Sequence, residues 1–469
     1  MNQPGLSLRA AAEWIRTHRP DEWVSRPDAF SRKDVAADFA AGFGGIPANS
    51  LARPEKAVEY RIEDSPVPVL LGLYGCRDRV RAWLPGLPEA VSRAAADRVL
   101  AAVRPPETVA DPPVQAVVRR HRIDLGELPV LYSTPRDAGP YLTMGMIYAA
   151  DPDTGEVALS VHRMLVVGPD RLAVWMVPSR RLRAMHEAAV RRAGRLAVSV
   201  NIGVPPAAMI ASALSSKVLA GTGKLAIAGA LAGAPIALAP AVGQPTYVLA
   251  ESELVLEGYL DDTVTDETLS GAPDVSLPEF LGYDGEARRD LPVLTVTAVT
   301  SRESPVYQAV IGPGREQSVI LGTAGTLSVA LSHDGDDWNL IHNLHYSPAG
   351  GGMLLLFVSV RKPSPEADGR LKHIARRIFD DHPFVKLIVF TDDDVDITSA
   401  EDVLWAITTR ANLNTDSVTF GGFRALTMDP SQGAGWAAAR GADSPPGRTY
   451  IDATVPHALR SSVTRSFAR

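Results

Sequence analysis

Apolar residues recur at helical spacing in SLRAAAEWIRTH (7–18), with Leu8, Ala12, Trp14 and Ile15 toward one side and Ser7 as a cap. A strand pattern follows in SPVPVLLGLYG (65–75), then a helical one in PEAVSRAAADRVLAAV (88–103). The Pro-rich PPETVADPP (105–113) predicts a first domain boundary. From about 116 to 310, short apolar runs alternate with turn signals: YLTMGMIYA (141–149), EVALSVHRMLVV (156–167), LAVWMVP (172–178) and LAVSVNIG (196–203). That spacing predicts a barrel or sandwich. RRLRAMHEAAVRRAG (180–194) interrupts it as a helix, and an excursion through 206–232 is expected to be helical too. LAIAGALAGAPIALAPAV (225–242), built from Ala and Gly with two prolines, reads as a buried helix running into a strand. Beyond about 310, GGMLLLFVSVRK (351–362) and VKLIVFTDDDVDI (385–397) alternate with the helical RLKHIARRIFDD and SAEDVLWAITTRA, which predicts a mixed α/β layer. The tail from 430 is loop-like until GRTYIDAT (447–454).

The class is therefore α/β in three expected parts: an N-terminal α/β domain (1–113), a central barrel (114–310) and a C-terminal α/β domain (311–469). A chain of 469 residues is too long for one small core, which agrees with that division. The net charge of −7 argues against a general polyanion binder, so no nucleic-acid partner is expected. The lone cysteine, Cys76, forbids an intramolecular disulfide and reads as a small buried thiol of a cytoplasmic protein. The opening MNQPGLSLRAAAEWIRTHRP has no apolar core of a signal peptide, and no membrane span is expected.

Several stretches look chemical and are weighed against plainer readings. AGTGKL (220–225) fails the phosphate-loop template, with Val218 at the first glycine and Leu225 in place of Ser or Thr. His342 and His345 stand three apart, but in sequence that reads as strand and loop. The aspartates of TDDDVDI (391–397) fit a turn capping the next helix better than a magnesium site. Arg180 and Arg181 lie where a strand hands over to a helix, so guanidinium and backbone N–H groups can converge there on an anion. In SVHRMLVV (160–167), strand alternation puts Arg163 on one face with Val161 and Leu165. Such an arginine is either an edge snorkeler or a buried, paired cation. DVSLPEFLGYDG (274–285) supplies candidate partners, Asp274 and Glu279, flanked by Leu277, Phe280 and Tyr283.

In order, GLYGCRDRV (72–80), DAGPYLTMG (137–145), HRMLVVGPDRL (162–172), NIGVPPAAMIASAL (201–214), SELVLEGYL (252–260), PEFLGYDG (278–285) and VLWAITTR (403–410) resemble the UbiD-type family of prenylated-flavin decarboxylases. The resemblance covers nearly the whole chain. It implies that the central barrel is a split β-barrel of the flavin reductase-like kind, and that the C-terminal domain makes a homo-oligomer. It implies a non-oxidative, reversible decarboxylase of an aromatic, heteroaromatic or α,β-unsaturated acid. The cofactor implied is prenylated FMN, made by a partner flavin prenyltransferase. Its azomethine-ylide form adds across the unsaturated acid, and an enzyme acid reprotonates the carbon after decarboxylation. The family's Glu–Arg–Glu network maps onto Asp274, Arg163 and Glu279, with Glu279 as the acid. Apolar walls from Leu277, Phe280 and Tyr283 would raise its pKa. Cofactor contacts map onto Thr143, Ser160, the backbone run Val161, His162 and Arg163, and Arg448.

The likeness breaks at the divalent metal, whose three ligands correspond here to Ala158, Arg181 and Val242. Three readings follow. Arg181, with Arg180 and Arg448, replaces the metal beside the flavin phosphate. Alternatively, the chain has given up prenylated FMN for cofactor-free lyase, cyclisation or proton-transfer chemistry. In the third, it is a silent partner subunit, although a scaffold has no reason to retain a dry ion pair that costs desolvation.

Overall fold

Six strands pair into a closed ring. Leu254–Thr265 bonds Leu196–Ile202, which bonds Tyr141–Ala150, then Val157–Gly168, Arg171–Val174 and Leu291–Ser301, and the last returns to Leu254–Thr265. The molecule is a computed structural model that describes residues 3–42, 55–151, 153–177, 181–219, 221–268, 275–278, 282–283, 285–312, 314–426, 428–441 and 446–466. The α/β class and the central barrel are as expected. Closure removes the sheet edges that an open six-strand sheet would expose. One apolar cluster takes residues from every strand of the ring, including Ile147, Met164, Val174, Val200, Leu256 and Val296.

The chain forms two compact units. The first comprises residues 1–87, 102–213 and 221–317, and the second 88–101, 214–220 and 318–469. In the first unit, Trp23–Phe30, Ala57–Ile62, Ser65–Leu71 and Tyr307–Gln308 make a smaller sheet. The amphipathic helix Leu8–His18 buries Leu8, Ala11, Ala12 and Ile15. The GLYG turn is held by buried carboxylates: Glu316 accepts from Gly72 N (2.8 Å) and Tyr74 N (3.0 Å). Glu55 in turn accepts from Glu316 N at 3.2 Å. Burial, reinforced by the charge of Glu55, pushes the Glu316 carboxyl up to about 8. The 225–242 run folds as read, into the helix Lys224–Ala232 and the strand Ala237–Pro240.

The second unit holds a five-stranded sheet in the order Ile341–Tyr346, Leu355–Val360, Leu387–Asp392, Arg448–Ala453, Ser417–Phe420. Its three middle strands are parallel, and Leu355–Val360 and Leu387–Asp392 are buried on both faces. The TDDDVDI carboxylates are engaged with cations and backbone. Asp392 accepts from Val455 N (2.7 Å), Arg410 (3.2 Å) and Arg460 (3.1 Å), and Asp394 pairs with Arg410 at 2.6 Å. The helix read at 88–103 runs only from Arg93 to Ala101, since Ser92 accepts from Ala95 N and starts it late. Among the described residues no helix is long and apolar enough to cross a membrane.

Candidate active site

Alternation along Val157–Gly168 separates two sets of side chains. Ala158 and Met164 join the large barrel cluster, whereas Leu165 joins a separate one with Ala138, Tyr141, Ala173, Leu277 and Leu291. Ser160 and His162 therefore share a face with Ala158 and Met164, and Arg163 shares the other with Leu165. The Arg163 side chain is 11% exposed and its Nη2 lies 3.0 Å from Glu267 Oε2, on a carboxylate that is 1% exposed. Burying two charges costs several kcal/mol per ion in order of magnitude, and further hydrogen bonds must offset that. Glu267 has them: Arg288 N donates to Oε2 at 2.9 Å, and Glu267 N donates to Arg288 O at 2.8 Å. The Arg288 guanidinium lies over the Trp175 ring, 5.2 Å from its centroid.

Tyr141 stands beside this pair. Burial first, and then the negative charge of Glu267, push its phenol pKa up, with Arg163 opposing, so it stays protonated near neutrality. Leu277 is buried against Leu165 and Tyr141, so the 275–278 segment roofs this face as an apolar wall. Tyr283 corrects the expectation of a second wall: it is 56% exposed. Asp274, Glu279 and Phe280 lie outside the described residues, so the acid seen on Arg163 is Glu267. Sequence reasoning missed it because TDETLSG reads as a solvated turn, and its cover, Arg288, comes 21 residues later.

The expected cofactor positions are distributed as follows. Thr143 Oγ1 accepts from Val310 N at 3.0 Å. Ser160 Oγ lies 2.8 Å from His162 Nε2, and His162 Nδ1 lies 2.9 Å from the Trp175 carbonyl. Val161 pairs with Met146 across the barrel strands. Arg181 opens the helix Arg181–Ala193, is 43% exposed and reaches Glu156 at 3.4 Å. Arg448 belongs to the second unit, where it donates to Val385 O at 2.8 Å and stacks on Phe423. Arg180 lies outside the described residues.

At the positions that the resemblance assigns to the metal ligands, Ala158 is a buried methyl, and Val242 uses its backbone, accepting from Arg120 and donating to Glu257. With Arg181 paired to Glu156, this set does not fit a divalent ion. No cluster of three His, Cys, Asp or Glu side chains suited to a metal occurs among the described residues.

The family model for the 3-octaprenyl-4-hydroxybenzoate carboxy-lyase Rift-related domain matches residues 107–316, and that for the C-terminal domain of the same carboxy-lyase matches 330–453. The chain belongs to the UbiD family. This UbiD-family carboxy-lyase is 30% identical over 374 residues to a gallate decarboxylase of Lactiplantibacillus plantarum, across 77% of this chain and 76% of that one. Its fold is similar to the apo 3,4-dihydroxybenzoic acid decarboxylase of Klebsiella pneumoniae, with TM-score 0.89 and 27% identity over 99% of this chain and 97% of that one. It is also similar to the UbiD-class enzyme HmfF of Pelotomaculum thermopropionicum in complex with FMN, with TM-score 0.82 and 27% identity over 99% and 97% of the two chains.

Proposed function

We propose that this carboxy-lyase decarboxylates an aromatic, heteroaromatic or α,β-unsaturated acid with prenylated FMN as cofactor, Arg163 receiving the substrate carboxylate. The observation that carries the reading is the buried Arg163–Glu267 pair on a UbiD-family barrel. A guanidinium offers five donors in one plane, so Glu267 can orient it while a substrate carboxylate is bound bidentately. Leu165, Leu277 and Leu291 keep water from that face, which strengthens the charge interaction. Glu279 is assigned the proton delivered to the carbon that loses carbon dioxide, and Asp274 supports it; both assignments rest on the PEFLGYDG match.

The donor set fits a polar, phosphorylated ring cofactor, with hydroxyls at Thr143 and Ser160 and a guanidinium at Arg181. Those residues, with Arg180 and the Val161–His162–Arg163 backbone, would hold it. Prenylated FMN, when bound, supplies the electron sink for decarboxylation. No divalent ion is assigned. The reading also includes a flavin prenyltransferase as cofactor supplier and a homo-oligomer as the working form.

One observation favours the second reading, a flavin-free lyase on the same scaffold: Arg181 and Arg448 already have partners within the protein. Purification after co-expression with a flavin prenyltransferase, followed by absorbance and intact-cofactor mass, separates the two. Bound prenylated FMN is expected. Its absence under conditions that load a relative would transfer the assignment to the flavin-free reading. Glu279→Gln is expected to lower turnover by about a hundred-fold or more in either case, the scale of general-acid loss. Full activity in that variant would remove Glu279 from the mechanism.

A further inference from the structure

Ser160 and His162 form a hydrogen-bonded unit on the strand Val157–Gly168, two residues apart on one face. The chain of donors in it has a direction. A backbone carbonyl only accepts, so the 2.9 Å contact between His162 Nδ1 and Trp175 O requires the proton on Nδ1. In the neutral ring Nε2 is then a lone pair, and the 2.8 Å contact with Ser160 requires the hydroxyl proton to point at it. His162 is buried, and Ser160 is only partly covered, so the hydroxyl is the member of the unit that a ligand can touch.

We propose that His162 is a positioning residue that commits the Ser160 hydroxyl proton inward, so that Ser160 offers the cofactor an acceptor and selects an O–H or N–H donor against it. The inference rests on the reading of this pocket as a flavin site. Of a flavin's groups, ribityl hydroxyls and ring N–H qualify as partners of Ser160, whereas the ring carbonyls and the phosphate oxygens do not. The serine hydroxyl thus belongs to the sugar or ring end of the ligand, and phosphate recognition falls to cationic side chains.

Two measurements test this. In protein labelled with ¹⁵N-histidine, Ser160→Ala identifies His162 as the ring whose Nε2 signal moves when its donor is removed. The wild-type ring is expected to carry its proton on Nδ1. A proton on Nε2, in the other tautomer or in the imidazolium, would overturn the inference and leave the proposed function untouched. Fluorescence titration with FMN and with riboflavin then reads the ligand side. Ser160→Ala is expected to weaken both flavins by the same factor, roughly five-fold for one neutral hydrogen bond. A loss confined to FMN would mean that Ser160 donates to the phosphate, and would overturn the inference. If neither flavin binds wild-type protein while the Nδ1–H tautomer is present, the flavin reading fails, and with it the ligand selectivity. The proton direction would stand.

Discussion

A single arginine among Val161, Met164 and Leu165 is readable in the sequence because alternation leaves it no polar neighbour on its own face. Its acid was not readable in the same way. Glu267 sits in TDETLSG, and nothing local says that Arg288 will fold back to donate to it. The pair makes a thermodynamic prediction. Glu267→Ala removes a charge-assisted hydrogen bond from the buried Arg163 and is expected to destabilise the first unit by about 1.5–3 kcal/mol. Chemical denaturation followed through the Trp175 environment checks it; a change below about 1 kcal/mol would mean that water reaches the guanidinium freely. Asp274 and Glu279 were legible only as a spaced pair in an apolar setting, so their roles rest on sequence.

At the scale of elements, the sequence pattern found four of the six ring strands, and it found the helices Leu371–Asp381 and Ala400–Arg410 because each buries one face. It did not single out Arg315–Ser332, whose 18 residues include Gly322 and Gly325 and mix small apolar and hydroxyl side chains. The reason is packing. A Cβ on Gly325 would lie 2.7 Å from Cε2 of the Tyr346 ring, so the helix must be smooth there. Gly325→Ala should gain helix propensity yet lose stability by about 1–3 kcal/mol, the scale of overpacking in a filled interior. A thermal midpoint equal to or above wild type would show that the ring yields.

For the whole molecule, the pairing that closes the barrel joins Leu254–Thr265 to Leu291–Ser301, and residues 88–101 belong to the second unit although the segments on either side belong to the first. Neither relation has a local signal, because both are set by which apolar faces remain to be covered. One group in each unit gives an opposite pH dependence. The Glu316 carboxyl is raised from 4.5 to about 8 in the folded chain. It holds a proton that the unfolded chain releases, so its contribution is complete below pH 4.5 and is lost as pH rises through about 8. His382 is lowered from 6.5 to about 4 by burial, and its Nε2 has no hydrogen-bond partner among the described residues. Its contribution is present above pH 6.5 and is lost as pH falls toward 4. Glu316→Gln should flatten the alkaline decline, and His382→Phe the acid one, in denaturation midpoints recorded across pH. Unchanged slopes in either variant would remove that group from the balance.

The most direct test of the account is carbon dioxide release by the protein co-produced with a flavin prenyltransferase. Wild type, Arg163→Ala and Glu267→Gln should be assayed on dihydroxy- and trihydroxybenzoic acids and on unsaturated acids, with bound flavin and folding measured in each. Wild type is predicted to release carbon dioxide from at least one of these acids. Arg163→Ala should fall by about a hundred-fold or more, the scale of losing a charge-stabilising donor, and Glu267→Gln should fall less, with flavin content retained in both. Arg163→Ala turning over at the wild-type rate would contradict the assignment of the carboxylate to that guanidinium.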